Sequence, residues 1–280
     1  MAQKEIKILR DFPAVEELLQ SPELSGSLNG LPRPLAVEII RNSISIFKSE
    51  IKKRKKSFSR SDLIKSVSHS ISSWKQKELQ NVINATGVLV HTNLGRSPLG
   101  REVVEKISAS ISGYNNLELD LETGKRGSRG EICEKYLALL TGAESAAIVN
   151  NCAAALFIIL NTFSQKKKVL LSRGELVQIG GEFRIPDILK RSGARLDEVG
   201  TTNITNLKDY SESIDKSASM ILKVHRSNFV QSGFIKEVEL SKLSSLAQKN
   251  KIILLHDLGS GAVFQTKKLL GCDEPTPLQS

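Results

Sequence analysis

From Asn81 onward, short apolar runs rich in β-branched residues alternate with helical patterns, and that alternation leaves few folds open. The runs at 146–149 (Ala-Ala-Ile-Val), 169–172, 195–199, 220–224 and 252–256 have the length of buried strands. Between them, helical spacing predicts helices at about 98–112, 130–141, 152–163, 182–192, 206–215 and 240–249. Strands and helices in alternation need crossover connections. The expected fold class is therefore α/β, with a mainly parallel sheet covered on both faces. Ligands of such sheets bind outside the carboxyl ends of the strands.

The first 80 residues have a different texture. Phe12, Val15, Leu18 and Leu19 recur at helical spacing, and Pro22, Gly26, Asn29, Gly30 and Pro32 then read as breaks. A second helix is expected after Pro34, with Val37, Ile40, Ile44 and Phe47 on one side. A third is expected at about 61–79, capped by Ser61 and carrying Leu63, Ile64, Val67, Ile71 and Trp74. The expected division is a helical module at 1–78 and an α/β domain at 79–280. Charge divides in the same way. Residues 1–80 hold 15 Lys/Arg against 9 Asp/Glu, while residues 81–280 hold 25 against 21. A basic surplus at one end, with Lys52-Lys53-Arg54-Lys55-Lys56 at its centre, points to a polyanionic partner or to a solvated helix face.

Several classes are excluded. Hydrophobic residues at 40% and charged residues at 25% are globular values. Cys133, Cys152 and Cys272 stand at unrelated spacings with no CxxC and no Cys/His cluster, which argues against a disulfide framework or a zinc site. The chain has no run of ~18 apolar residues and no signal-peptide pattern at its start, so no membrane partner and a cytoplasmic location are expected.

Two constellations carry chemistry. The run at 146–149 leads to Asn150-Asn151 and then to the small-residue helix start Cys152-Ala153-Ala154-Ala155. Free N–H groups at such a start, with no bulky side chain in the way, make an anion site suited to a phosphate; common strand–helix packing is the plain alternative. The run at 252–255 delivers His256-Asp257-Leu258-Gly259-Ser260-Gly261. An Asp at that place can hold a protonated heteroaromatic nitrogen, or can simply cap its own turn. Together they point to pyridoxal phosphate, with Asn150, Asn151, Cys152, Asp257 and Ser260 as candidate cofactor-binding residues. Arg96, in His91-Thr92-Asn93-Leu94-Gly95-Arg96-Ser97-Pro98, is the candidate for an anionic substrate group. Lys125, Arg126 and Arg129, around Gly124 and Gly127, could line a polyanion-binding loop or a plain turn.

Taken in order, Asn84-Ala85-Thr86-Gly87 with HTNLGRSPL, DLETGKRGSR, the Asn150-Asn151 helix entry, SRGELVQIGGEFRIPDIL at 172–189, EVGTTN at 198–203 and HDLGSG resemble bacterial selenocysteine synthase, the L-seryl-tRNA(Sec) selenium transferase family. The resemblance runs from about residue 5 to the last residue. It implies the aspartate-aminotransferase-like fold (type I) of pyridoxal phosphate enzymes. It further implies that the seryl group of seryl-tRNA(Sec) loses water to an aminoacrylyl intermediate, which takes selenium from selenophosphate to give selenocysteinyl-tRNA(Sec). Asp257 would then hold the protonated pyridine, Arg96 the selenium-delivering anion, and the basic N-terminal module, with Lys52, Lys53, Arg54, Lys55 and Lys56, the tRNA. Family members are homo-oligomeric rings of dimers with sites at subunit interfaces, so Arg96 would serve a neighbour's cofactor. A related lyase acting on a small amino acid or amino sugar phosphate, and a non-catalytic tRNA-binding remnant, are the alternatives.

The family's Schiff-base lysine lies in a segment resembling S-x-D-K-L-L-G-G. Thr266-Lys267-Lys268-Leu269-Leu270-Gly271 imitates part of it, but Lys268 follows Asp257 by 11 residues, too few for the helix and strand that bring such a lysine under the ring. The expectation is that no residue up to Ser280 is that lysine, and that the chain is an incomplete sequence, a frameshifted product or a shortened paralogue.

Overall fold

In the computed structural model, which describes residues 12–54, 58–179, 183–271 and 273–280, the chain folds as two units, residues 1–97 and 98–280. The first is helical: α1 (Val15–Leu19), α2 (Pro22–Leu28), α3 (Arg33–Arg54) and α4 (Arg60–Lys75). Pro22, expected to break the chain, instead opens α2, because a missing N–H costs nothing in a first turn and its fixed φ is already helical. Gly26 lies inside that helix. The cap of α4 is Ser59, whose Oγ accepts from Asp62 N at 3.3 Å, rather than Ser61. Leu18, Leu24, Ile40, Leu63, Val67 and Ile71 are fully buried together. Each burial is worth about 1.5–3 kcal/mol. Trp74, expected on this stripe, is 41% exposed and carries the Lys77 ammonium 5.5 Å from its ring centre.

In the second unit, α5 (Arg101–Ile111), α6 (Glu131–Thr141) and α7 (Cys152–Ser164) precede β1 (Lys168–Ser172). A short two-stranded ladder, β2 (Gln178–Ile179) with β3 (Phe183–Arg184), leads to α8 (Ile185–Ser192) and β4 (Arg195–Val199). Then come α9 (Leu207–Ser213), β5 (Ala218–Val224), α10 (Leu240–Asn250), β6 (Ile253–Asp257) and α11 (Lys267–Leu270). The main sheet is parallel throughout, in the order β4-β1-β5-β6.

Alternation along each strand builds two cores. Val169, Leu171, Met220 and Leu222 pack with Leu156 and Leu160 of α7 and Leu189 of α8. Leu170 and Ile221, pointing the other way, pack with Tyr210 of α9 and Leu243 of α10. The sheet is covered on both faces, as expected from near-continuous apolar strands.

One expected strand does not form. Residues 146–149 are irregular, with Ile148 and Val149 49% and 36% exposed. Neither edge strand, β4 or β6, pairs with this run, and an unpaired run has no ladder to hold it extended. Helices α5 and α6 form where expected but bury no residue, leaving Val103, Val104, Ile107, Ile132 and Tyr136 exposed. Among the described residues, no helix is long and apolar enough to cross a membrane.

Candidate cofactor site

The carboxyl ends of β5 and β6 define the site. Asp257 closes β6 opposite Val224, is only 9% exposed, and its carbonyl accepts from His225 N at 2.9 Å. The chain then turns sharply through Gly259 (φ 65°) and Gly261 (φ 64°), both in the left-handed region that favours glycine. A Cβ on Gly259 would also lie 3.3 Å from Ser227 Oγ. Ser260 sits exposed between the two glycines, its N–H donating to Leu258 O at 2.6 Å.

The start of α7 meets this loop. Asn151 is its N-cap, with Oδ1 accepting from Ala154 N at 2.9 Å, which leaves the N–H groups of Cys152 and Ala153 without an intrahelical acceptor. Asn150 and Asn151 are exposed. Across 105 residues of sequence, the Cys152 thiol donates to Asp257 Oδ1 at 3.4 Å. Oδ2 of the same carboxylate receives no hydrogen bond from the described residues. The two constellations picked out separately in the sequence are therefore neighbours. Burial, and then the Asp257 charge, push the Cys152 thiol up to about 11.

The thiol carries a prediction. Two units of pKa remove about 99% of the thiolate present at neutral pH, and the higher intrinsic nucleophilicity of a more basic thiol recovers about a factor of ten. Cys152 is expected to react with an aromatic disulfide about tenfold more slowly than Cys133, both residues being exposed, and Asp257→Asn is expected to remove the part of that difference that the Asp257 charge supplies, leaving the part due to burial. Equal rates in the parent chain, read by peptide mapping, would contradict the contact.

Behind the strand ends lies an ionic cluster that the sequence reading missed. Glu175, in the 3-10 turn Arg173–Glu175 after β1, is 2% exposed. Its carboxylate receives Lys223 Nζ at 2.6 Å and Val224 N at 2.8 Å. Lys223 also reaches Glu237 at 3.0 Å, and Arg226 reaches Glu237 at 3.4 Å. Burial pushes the Glu175 carboxyl above the usual range against the pull of Lys223. A cavity of about 400 Å³ opens beside these groups, lined by Lys223, His225, Arg226, Gln231, Glu237 and His256. Burial lowers the His256 pKa, with Lys223 and His225 adding to the effect, and His225 Nε2 lies 3.0 Å from Glu274 Oε2. The available signal was a lysine interrupting the apolar run Met220–Val224.

Of the remaining candidates, Arg96 lies in the first unit. It is exposed and left-handed (φ 63°), its N–H donating to His91 O at 3.0 Å. A non-glycine residue held there costs on the order of 1–3 kcal/mol. Lys52 and Lys53 are exposed in the last turns of α3, Arg54 ends that helix, and Lys55 and Lys56 lie outside the described residues. In the glycine-rich loop, Arg126 pairs with Glu118 at 2.7 Å and Arg129 pairs with the same carboxylate, so two of the three cations are already partnered. Lys267 and Lys268 are exposed on the one-turn α11.

A helix start with free N–H groups and small side chains, next to a buried carboxylate with an open oxygen, fits a phosphorylated heteroaromatic ring. Comparison with known proteins agrees. A family model described as L-seryl-tRNA selenium transferase matches residues 82–280, and one described as selenocysteine synthase N terminal matches residues 9–45. The L-seryl-tRNA(Sec) selenium transferase of Aquifex aeolicus is 44% identical over 272 residues, covering 96% of this chain and 58% of that protein. That of Sulfurimonas denitrificans is 42% identical over 273 residues, covering 97% of this chain and 60% of that protein. The chain thus spans about 60% of the length of these relatives. A solved D-glucosaminate-6-phosphate ammonia-lyase superposes with a TM-score of 0.52 at 22% identity, over 66% of this chain and 50% of that one. That likeness establishes the α/β, aminotransferase-like type I fold.

Proposed function

The chain belongs to the L-seryl-tRNA selenium transferase family, and on that premise we propose that it serves the pyridoxal phosphate-dependent conversion of seryl-tRNA(Sec) to selenocysteinyl-tRNA(Sec), with selenophosphate as selenium donor. The observation that carries the cofactor assignment is the contact between Cys152 and Asp257, which sets a phosphate-binding helix start beside a ring-binding carboxylate. When bound, pyridoxal phosphate supplies an electron sink for loss of the seryl hydroxyl and addition of selenium. The N–H groups of Cys152 and Ala153 hold its phosphate, and Asp257 keeps the proton on its ring nitrogen. Asn150, Asn151 and Ser260, exposed at this helix start and loop, are the further cofactor contacts, and Arg96 takes the selenophosphate anion at a neighbouring subunit's cofactor.

Residues 1–78 are the tRNA-binding module, read through phosphate and shape. A lyase acting on a small molecule has no use for such a basic helical bundle. We assign the protein to the cytoplasm and to a homo-oligomeric ring of dimers, for which the exposed apolar faces of α5 and α6 are suited. We assign no cofactor-bonding role to Lys268, which is exposed on α11 and follows Asp257 by 11 residues. Lys268→Ala is expected to leave cofactor affinity within twofold of the parent, by fluorescence titration.

The tRNA assignment is tested by filter binding. With Lys52, Lys53, Arg54, Lys55 and Lys56 changed to Ala, affinity for seryl-tRNA(Sec) is expected to fall at least 100-fold at low salt, and the logarithmic salt slope to become shallower by about 3–4. Unchanged binding would remove the module from the assignment.

A further inference from the structure

The sheet has a second end. At its amino edge, opposite the cofactor site, each of the four parallel strands is led in by an exposed cation: Arg195 opens β4, Lys167 precedes β1, Lys216 precedes β5 and Lys251 precedes β6. In the order β4-β1-β5-β6 they form one row. Backbone bonds tie the row together, Arg195 N to Lys167 O at 2.9 Å and Lys168 N to Ser217 O at 2.8 Å. Lys190 and Arg191, exposed in the last turn of α8, stand beside Arg195.

Among the described residues, none of these six cations is paired with a carboxylate. The carboxylates at this edge are otherwise engaged, Asp197 and Asp215 both on Lys168 at 2.9 and 3.0 Å, and Glu212 on Lys208 at 3.5 Å. Without the six, residues 81–280 would hold 19 Lys/Arg against 21 Asp/Glu. Six cations without a carboxylate partner among the described residues, more than the whole surplus of four over residues 81–280, thus stand at this one edge.

Complementing helix C-termini accounts for Lys190 and Arg191. It does not account for Arg195 or Lys216, which lie outside any helix. Lys251 holds a left-handed φ of 54°, and Lys166, next to Lys167, one of 61°, at positions where glycine would be the unstrained choice. Long cations are kept there at a conformational cost.

The geometry points to a second polyanion-binding face: the amino edge of the sheet takes the phosphate backbone of RNA. Four strands at ~4.8 Å spacing make a row roughly 15 Å long, which fits several successive phosphates rather than one. The choice of RNA over an acidic protein rests on the proposed function.

Fluorescence anisotropy of the 280-residue chain with a labelled tRNA-sized transcript, from 50 to 200 mM salt, tests this. The edge variant carries Lys167→Gln, Lys190→Gln, Arg191→Gln, Arg195→Gln and Lys216→Gln, and leaves the left-handed lysines alone. Its affinity is expected to fall at least tenfold at low salt, with a salt slope shallower by about 3–4, and Lys216→Gln alone is expected to change the slope by about 1. If the five substitutions impair folding by circular dichroism, the Lys216→Gln slope decides. Parent-like RNA binding by the edge variant, with Lys52→Gln/Lys53→Gln weakened, would overturn the edge and leave the tRNA module standing. Parent-like binding by both variants would overturn both. Loss of poly-glutamate binding with RNA binding retained would also overturn the proposal, giving the edge to an acidic protein.

Discussion

Glu175→Ala is expected to destabilise the chain by about 3 kcal/mol, a larger effect than any substitution on its surface. The change leaves Lys223, 13% exposed along its side chain, with only the half-exposed Glu237 as partner, and it strips the buried Val224 N–H of its acceptor. Urea unfolding of the parent and the variant measures the difference, and a loss below about 1 kcal/mol would mean that water replaces the carboxylate. Glu175→Gln keeps an acceptor for Val224 and should lose less. The same group has a pH signature. Burial holds its folded pKa above the unfolded value, so the folded state binds the proton more tightly. The stability linked to this proton is fully present below the unfolded pKa of about 4.3 and is lost as pH rises through the folded value. The melting temperature of the parent relative to Glu175→Gln should accordingly fall from pH 4 upward, and a rise over that window would contradict the assignment.

Asp257→Ala is expected to weaken pyridoxal phosphate binding by about 10- to 150-fold, the equivalent of a charge-assisted hydrogen bond of about 1.5–3 kcal/mol. Asp257→Asn keeps the shape and loses the charge, so it should fall between the parent and alanine. Both variants should make the Cys152 thiol more reactive, Asp257→Ala by removing acceptor and charge together and Asp257→Asn by removing the charge alone, while the part of the raised pKa due to burial remains. Thiol reactivity thus reports on the Asp257 contact without any bound cofactor. Asn151→Ala is the complementary case. It removes the cap of α7 at a cost of about 1 kcal/mol and loosens the helix start that holds the phosphate, so affinity should fall although the Asp257 carboxylate is intact.

The motifs of the site could be read in the sequence because each is a local device. Asn151 before three alanines is a cap, and Asp257 before two glycines is a strand end followed by a left-handed turn. The ionic cluster could not be read that way. Glu175, Lys223 and Glu237 come from three segments, and neither spacing nor composition says that a buried carboxylate faces a strand lysine. The unformed strand at 146–149 makes the same point from the other side. Its residues have the right propensity, but a strand exists only where a neighbour accepts its hydrogen bonds.

Alternation of apolar runs and helical spacing was enough for the α/β class and for four of the five expected strands, because periodicity is a property of single segments. Strand order was not contained in any segment. The arrangement β4-β1-β5-β6 decides that Cys152 meets Asp257 at one edge and that Arg195, Lys167, Lys216 and Lys251 line up at the other. Both are contacts between residues far apart in the chain, and packing the crossover helices against the sheet is what brings those residues together.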